Sequence, residues 1–229
     1  MIKFEHVSVQ YKNADGRYAL NDVSMEIKDG EFVFLTGPSG AGKSTIMKLL
    51  LREETPKTGT ILVDDYDLNS LKTRKIPFYR RNLGIVFQDY KLFEKSTVYE
   101  NVAFAMRAVG APSKIIRKRV EGILDILDIK DKYNKFPHQL SGGERQRVAV
   151  ARAVVNNPSI IIADEATSNL DIKLRNEIMQ ILTGFNNSGK TVIVITHDLS
   201  IVEKFNKRVI TLNKGELVSD TKNGGVANE

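Results

Sequence analysis

A glycine-rich loop directly after a short apolar segment places the tightest constraint on the fold of this chain. The segment Phe32–Thr36 is almost wholly apolar, as expected for a strand buried on both faces of a parallel sheet. The loop after it fits the pattern G-x-x-x-x-G-K-[ST], and its residues are Gly37, Pro38, Ser39, Gly40, Ala41, Gly42, Lys43, Ser44 and Thr45. Residues 46–51 continue as a helix. This strand, loop and helix predict an α/β fold that binds phosphate groups with backbone N–H groups and a helix N-terminus. In this pattern the Lys43 ammonium reaches the β- and γ-phosphates, and the Ser44 hydroxyl binds Mg²⁺.

A second apolar segment ends in two acidic residues. Residues 160–163 are all apolar, and Asp164 and Glu165 follow them. The carboxyl edge of a parallel sheet is where ligands of open α/β folds bind. A strand followed by two acids is common on its own, but downstream of a phosphate loop it predicts a catalytic edge. We expect Asp164 to hold Mg²⁺. We expect Glu165 to accept a proton from the water that attacks the bound phosphate group.

The rest of the chain divides into β-rich and helical regions. The first thirty residues alternate as antiparallel strands around a polar turn at residues 12–17. From about residue 98 to 156 apolar residues recur at helical spacing, for example Val102 with Met106 and Ile116 with Val120. Strands return at 160–163 and 192–195, a hairpin surrounds residues 213–215, and the tail from Ser219 to Glu229 is predicted to be frayed.

Composition and charge exclude several classes of protein. The 229 residues contain no cysteine, so disulfide scaffolds, thiolate metal sites and cysteine nucleophiles are ruled out. The net charge of +6 is compatible with a nucleic acid, a membrane surface or a phosphorylated ligand. No apolar run approaches the roughly 18 residues that span a bilayer, and the N-terminus lacks the apolar core of a signal peptide. We therefore expect a cytoplasmic location, with any membrane contact supplied by another polypeptide.

A third motif lies in the helical region. Leu140, Ser141, Gly142 and Gly143 precede a helix, where a hydroxyl, a permissive backbone and a helix N-terminus together form an anion site. An ordinary N-cap with a glycine-rich approach explains the same spacing, so the spacing alone does not decide between the two.

The motifs occur in one order across nearly the whole chain and resemble those of the nucleotide-binding subunits of ABC transporters. Besides the phosphate loop and the acidic strand end, the set includes Gln88, the LSGG sequence at residues 140–143, SNLD at 168–171 and THD at 196–198. The resemblance implies an α/β P-loop NTPase with a RecA-like parallel sheet core, an N-terminal antiparallel β subdomain and an inserted helical subdomain. It places one ATPase domain over residues 1–229, with the core at about 1–87 and 157–218, the helical subdomain at about 88–156 and the tail at 219–229.

The resemblance also assigns roles to single residues. It implies that Tyr11 stacks on adenine, that Gln88 contacts Mg²⁺ and the attacking water, and that His197 contacts the γ-phosphate. It further implies that two copies pack head to tail around ATP, so that Ser141, Gly142 and Gly143 complete the partner copy's site and the loop of Asp171 crosses to that copy. ATP binding would close the pair and hydrolysis would reopen it.

Within the family, residues 76–93 and 96–106 resemble the short bacterial ATPases that act in cell division. That subgroup implies an integral membrane partner, control of cell-wall hydrolases and a site on the cytoplasmic face of the membrane. The surface of residues 88–93 is the predicted docking surface for the membrane partner, although Leu92 and Phe93 fit a core position equally well. ATPases of lipoprotein-release and MacB-type transporters are the alternative.

A soluble ABC protein that acts on nucleic acid is the less favoured alternative. Such proteins usually carry long coiled coils or two cassettes, whereas only 104 positions separate Gly37 from Ser141 here. The basic cluster at residues 114–119 also lacks interleaved aromatic residues. No nucleic-acid partner is therefore expected.

Overall fold

The computed structural model describes residues 1–11 and 16–222. The chain divides into two compact units, one formed by residues 1–80 and 193–229 and the other by residues 81–192. The boundaries predicted for the core and the helical subdomain stay a prediction. Residues 12–15 of the predicted polar turn and residues 223–229 of the predicted tail lie outside the described residues.

The described part of the chain contains both strands and α-helices, with three consecutive strands at its start and three consecutive α-helices between residues 98 and 154. The strands are β1 (Ile2–Gln10), β2 (Tyr18–Ile27), β3 (Phe32–Thr36), β4 (Thr58–Val63), β5 (Tyr66–Asp67), β6 (Leu83–Val86), β7 (Ile160–Asp164), β8 (Thr191–Ile195), β9 (Arg208–Asn213) and β10 (Glu216–Thr221). The α-helices are α1 (Lys43–Leu50), α2 (Ile76–Arg80), α3 (Val98–Ala108), α4 (Ser113–Ile126), α5 (Gly142–Val154), α6 (Ile172–Asn187) and α7 (Leu199–Phe205).

An antiparallel sheet occupies the N-terminal part of the first unit. Its strand order is β2-β1-β4-β5, and Ile2 lies opposite both Ile27 and Val63. These three side chains are almost completely buried. The alternation of apolar and polar residues near the N-terminus therefore correctly predicts antiparallel strands.

The same unit holds the strand that leads into the glycine-rich loop. All five residues of β3 are buried, and β3 pairs in parallel with β9 from Val33–Arg208 to Thr36–Thr211. Burial on both faces explains why the first four residues of β3 are apolar.

The predicted hairpin around residues 213–215 is present. Lys214 and Gly215 both have positive φ, of 48° and 85°, as a two-residue type I′ turn requires. The prediction of a frayed tail is wrong for Ser219, Asp220 and Thr221, which belong to β10 and pair with β9. The reason is a bidentate ion pair in which Arg208 donates to both Asp220 carboxylate oxygens, at 2.8 and 2.7 Å.

Parallel strands and packed helices form the second unit. Strands β6 and β7 are parallel and in register from Leu83–Ile160 to Val86–Ala163. Helix α3 packs against α4 and α5, and the residues of α4 buried in this packing are Ile116, Val120 and Leu124. The helical spacing read from the sequence is thus confirmed. Among residues 1–11 and 16–222, no helix is both long enough and apolar enough to cross a lipid bilayer.

Candidate active site

The glycine-rich loop has a backbone shape that only glycine tolerates at two positions. Gly37 and Gly42 have φ of 136° and 108°. A Cβ atom on Gly37 would stand 2.1 Å from the Leu212 carbonyl oxygen, and one on Gly42 would stand 2.7 Å from the Ala19 carbonyl oxygen. Gly40 also has positive φ, at 79°, but a Cβ there would meet open space. The loop is therefore fixed at both ends by close backbone packing and open in its middle, as a phosphate cradle requires.

Lys43 and Ser44 are two polar side chains at the end of this loop. The Lys43 ammonium donates to the carbonyl oxygens of Gly37 and Pro38, at 2.6 and 3.0 Å, and so lies within the curve of the loop. The Ser44 side chain is exposed at the first turn of α1. Helix α1 has glycine rather than a capping side chain at its N-cap. The Lys43 ammonium and the N-terminus of α1 thus meet at the loop, and this pair of groups fits a polyphosphate.

Tyr11 lies beside the helix that the loop initiates. Its hydroxyl is 3.3 Å from Thr45 Oγ1, and the Lys48 ammonium is 5.7 Å from the centre of its ring. The ring is half-buried rather than part of the core. The structure therefore brings Tyr11 to the phosphate loop, at a position from which a base could stack on its ring.

His197 follows β8 and is held from both sides while its ring remains exposed. On one side, the buried Thr196 donates its N–H to the Leu35 carbonyl oxygen at 3.2 Å. Leu35 lies two residues before Gly37. On the other side, Asp198 caps α7 by accepting the Ser200 N–H at 3.1 Å. His197 is thus positioned by backbone contacts at the strand end where the phosphate loop starts.

In the second unit, strand register brings two other predicted residues to one edge. Val86 is paired with Ala163, so that Asp164 follows the last paired residue of β7 and Gln88 lies two residues beyond the last paired residue of β6. Gln88 is exposed, and Asp164 is half-buried beyond the four buried residues that precede it. A carboxylate and an amide oxygen at the carboxyl edge of a parallel sheet suit a hard cation.

Glu165 has an unusual backbone conformation. Its φ of 48° lies in the left-handed region, which costs an ordinary residue about 1–2 kcal/mol. Its carbonyl oxygen accepts the Ser168 N–H at 3.1 Å and the Ser168 hydroxyl at 2.9 Å, which holds the turn in place. Residues in such conformations concentrate at functional sites because the surrounding structure must hold them there. The sequence pattern identifies Glu165 but gives no sign of this conformation.

The LSGG residues begin a helix in the same unit. Ser141 is the N-cap of α5 and forms a capping box with Glu144. Glu144 Oε2 accepts the Ser141 N–H at 2.8 Å. In return, Ser141 Oγ accepts the Glu144 N–H at 3.3 Å. This hydrogen bond from the Ser141 backbone is the main reason that the pKa of Glu144 lies below its usual value. The N-cap interpretation of the motif is therefore correct, and it is compatible with an anion site at the same helix end.

The two glycines of the motif have different surroundings. A Cβ atom on Gly143 would stand 2.8 Å from Leu174 of α6, whereas one on Gly142 would be 3.5 Å from the Tyr90 hydroxyl and 3.8 Å from Leu170. Asp171, the next residue, caps α6 by accepting the Leu174 N–H at 2.9 Å. The structure therefore brings the LSGG motif close to the loops that carry Gln88 and Asp171.

The segment after Gln88 is held by two residues that sequence reasoning missed. Asn101 is fully buried and bonds to the backbone of Phe93, Ser96 and Thr97. The Arg152 guanidinium donates to the carbonyl oxygens of Tyr90 and Lys91, at 2.8 and 2.6 Å. The sequence does contain one sign of the role of Asn101. It is a polar residue at a position that helical spacing places in the core.

Phe93 is a surface residue, which decides between the two predicted positions for it. Its side chain is 43% exposed, and its ring packs edge-on against Phe104 with the ring centres 4.7 Å apart. Leu92 is half-buried. An exposed aromatic pair on a rigid segment is typical of a protein contact surface.

Comparisons with known proteins identify the family to which the chain belongs. A family model described as ABC transporter matches residues 20–168. The chain is 49% identical to the cell division ATP-binding protein FtsE of Bacillus subtilis over 98% of this chain and 97% of the relative. It is 46% identical to FtsE of Escherichia coli K12 over the whole of both chains. Among solved structures, the dimeric ATP-binding cassette MJ0796 in a post-hydrolysis state bound to ADP and Pi matches with a TM-score of 0.87 and 38% identity, covering 97% of this chain and 98% of that one. The chain thus belongs to the ABC transporter family, as its motifs predicted, and it is an ATPase with the α/β fold of an ATP-binding cassette.

Proposed function

We propose that this chain is the ATP-hydrolysing subunit of a membrane ABC complex that acts in cell division. Relatives from Bacillus subtilis, Mycobacterium tuberculosis and Escherichia coli, all named cell division ATP-binding protein FtsE, are 46–49% identical over at least 98% of this chain. Its membrane partner is an FtsX-like integral subunit, and the complex controls cell-wall hydrolysis from the cytoplasmic face of the membrane.

The residues of the site have distinct parts in hydrolysis. Lys43 and the backbone N–H groups of the loop bind the phosphates and offset the charge that develops on them. Glu165 accepts the proton of the attacking water, and His197 donates a hydrogen bond to the γ-phosphate. The observation that carries this assignment is the left-handed turn that fixes Glu165 directly after Asp164.

Mg²⁺ is the cofactor that this set of residues fits. Within the described part of the chain, no three His, Cys, Asp or Glu side chains cluster as a metal site of their own. Mg²⁺ commonly takes one or two protein oxygens together with phosphate oxygens and water. Ser44, Asp164 and Gln88 would supply such oxygens, and the ion would offset negative charge on the phosphates.

Two copies of the chain form the complete ATP site. The dimeric state of the MJ0796 structures supports this assembly. Tyr11 and the phosphate loop of one copy bind ATP, while Ser141, Gly142, Gly143 and the loop of Asp171 from the second copy cover it. ATP binding closes the pair and hydrolysis reopens it.

The surface around Phe93 is the proposed contact with the FtsX-like subunit. Arg152 and Asn101 hold this segment rigidly while Phe93 remains exposed. Phe93→Asp should abolish co-purification with an FtsX-like subunit and leave ATP binding intact. Normal co-purification of this variant would refute the contact.

The test of the proposed activity is steady-state ATP hydrolysis by the Glu165→Gln variant. We expect at least about a 100-fold loss of turnover with retained ATP binding, because removal of a general base typically has an effect of that size. ATP should also trap the variant as a dimer, as seen by size-exclusion chromatography. Glu203→Gln, which changes an exposed glutamate on α7, is the matched control and should hydrolyse ATP normally. Hydrolysis by Glu165→Gln at the rate of the unmodified protein would contradict the assignment.

A further inference from the structure

An open groove lies within residues 81–192, and none of the residues that line it is assigned to the nucleotide site. It has a volume of about 510 Å³ and is lined by α4, by the segment that ends α5 and by the C-terminal part of α6. Ile115 and Ile126 of α4 line it and are 53% and 71% exposed. Two large apolar side chains that solvent reaches in one groove are typical of a contact surface.

These isoleucines form a second apolar stripe on α4. The first stripe consists of Ile116, Val120 and Leu124, which are buried against the rest of the unit. Ile115 and Ile126 are eleven positions apart, or about three helical turns, so they lie on one face of the helix. Packing within the chain therefore explains one stripe of α4 and leaves the other facing the groove.

Gly122 keeps the groove open between the two isoleucines. It lies inside α4, where glycine costs about 1 kcal/mol relative to alanine. A Cβ atom at Gly122 would have no neighbour within 4 Å, so packing within the chain does not require glycine there. The missing side chain instead leaves room for an incoming group.

The charged residues that line the groove all have one sign. They are Lys118, Arg119 and Lys190, and no acidic residue of the described part of the chain lines the groove. Arg119 donates from Nε to the Val155 carbonyl oxygen at 2.8 Å, which fixes its side chain as part of the wall. Exposed isoleucines beside basic side chains are complementary to a ligand that has apolar and acidic residues on one side.

We propose that this groove binds an acidic amphipathic helix of a protein partner. A concave site between helices suits a helix whose apolar residues recur every three or four positions. A membrane surface instead binds the apolar face of a single amphipathic helix, whereas these isoleucines share a groove with residues from the ends of α5 and α6. The inference goes beyond the proposed function, since neither ATP hydrolysis nor the surface around Phe93 involves the groove.

The test uses a synthetic, fluorescein-labelled peptide about 15 residues long, which is the length at which an isolated helix becomes stable in water. Its leucines follow the spacing i, i+3, i+4 and i+7, and glutamates flank them. Fluorescence anisotropy with the full chain should give saturable binding that weakens as salt is added. A peptide with lysine in place of each glutamate should not bind.

Variants of the groove separate specific binding from general stickiness. Gly122→Leu fills the groove and should weaken binding of the acidic peptide at least about tenfold. The matched control Gly122→Ala should bind within about twofold of the unmodified chain and unfold at a higher temperature. The double variant Lys118→Glu, Lys190→Glu should also lose binding, and all variants should retain ATP hydrolysis.

Three results would overturn the proposal. The first is equal affinity of the acidic peptide for the unmodified chain and for Gly122→Leu, and the second is no binding at all. The third is binding only to vesicles that contain phosphatidylglycerol, lost in the Lys118→Glu, Lys190→Glu variant, because the occupant would then be a membrane surface.

Discussion

Gly143 of α5 lies so close to Leu174 of α6 that a Cβ atom on the glycine would stand 2.8 and 3.0 Å from the two terminal carbons of the leucine. The contact sets how closely the LSGG helix approaches the helix that Asp171 caps. Because the atoms in the way are the ends of a flexible side chain, an added methyl group would displace them without breaking the fold.

The contact between Gly143 and Leu174 predicts that the effects of mutating the two residues on stability are not additive, which a double-mutant cycle measures. Gly143→Ala should lower the free energy of unfolding by about 1 kcal/mol, as overpacking does. In a Leu174→Ala background the same change should be neutral or stabilising, because the obstructing carbons are gone. Gly142→Ala, whose Cβ atom would have ordinary contacts, is the control and should not destabilise the protein. Equal effects of Gly143→Ala in both backgrounds, measured by urea denaturation, would contradict this explanation.

The glycines of the phosphate loop should differ sharply in their tolerance of alanine. Gly37→Ala would force a Cβ atom to within 2.1 Å of the Leu212 backbone oxygen, and we expect soluble expression to fail or stability to fall by more than about 3 kcal/mol. Gly40→Ala meets no neighbour and should cost only the roughly 1–2 kcal/mol of a left-handed alanine. Thermal unfolding of the two variants tests this order, and the reverse order would show that the loop has another shape.

Local sequence patterns predicted the elements well but could not predict the contacts that join distant positions. Strand β3 and its loop follow from apolar residues and glycines that are adjacent in sequence. The ion pair between Arg208 and Asp220 extends β10 past the predicted end, and no pattern of neighbouring residues marks it. Asn101 is another example, since its burial depends on the folding of a loop around its amide. The left-handed backbone of Glu165 likewise has no signal in the residue type, because glutamate rarely adopts that conformation.

The left-handed conformation of Glu165 predicts that a variant without its steric cost gains stability and loses activity. Glycine adopts φ of 48° without the steric cost that glutamate bears. Glu165→Gly should therefore raise the free energy of unfolding by about 1 kcal/mol while it abolishes hydrolysis. Glu165→Gln keeps the strain and should match the stability of the unmodified protein. If both variants are equally stable in urea, the backbone strain at this residue is not significant.

A buried glutamine behind the LSGG motif predicts a second stabilising change. Gln146 of α5 is 1% exposed, and within residues 1–11 and 16–222 neither polar atom of its amide has a hydrogen-bond partner. An unsatisfied buried polar group costs about 1–3 kcal/mol. Gln146→Met, which is of similar size, should raise the free energy of unfolding by at least about 1 kcal/mol. Gln180→Met on the exposed side of α6 is the control and should change it little. A destabilised Gln146→Met variant would mean that the amide makes a bond essential to the fold.

The capping box of Ser141 and Glu144 predicts a pH dependence with a definite sign. The pKa of Glu144 lies below its usual value of 4.5, chiefly because its carboxylate accepts the Ser141 N–H. A carboxyl group with a lowered pKa stabilises the folded state at neutral pH, and this contribution disappears as the pH falls through the folded-state pKa. Glu144→Gln should therefore lower the free energy of unfolding by about 1 kcal/mol at about pH 7, a value typical of a helix cap, and by progressively less below pH 4.5.

Ser141→Ala is the control, because it removes the neutral half of the box and should destabilise the protein on both sides of that pH. Denaturant titrations of the three proteins at neutral pH and at about pH 4 make the comparison. An equal cost of Glu144→Gln at the two pH values would show that the charge of Glu144 does not stabilise the helix.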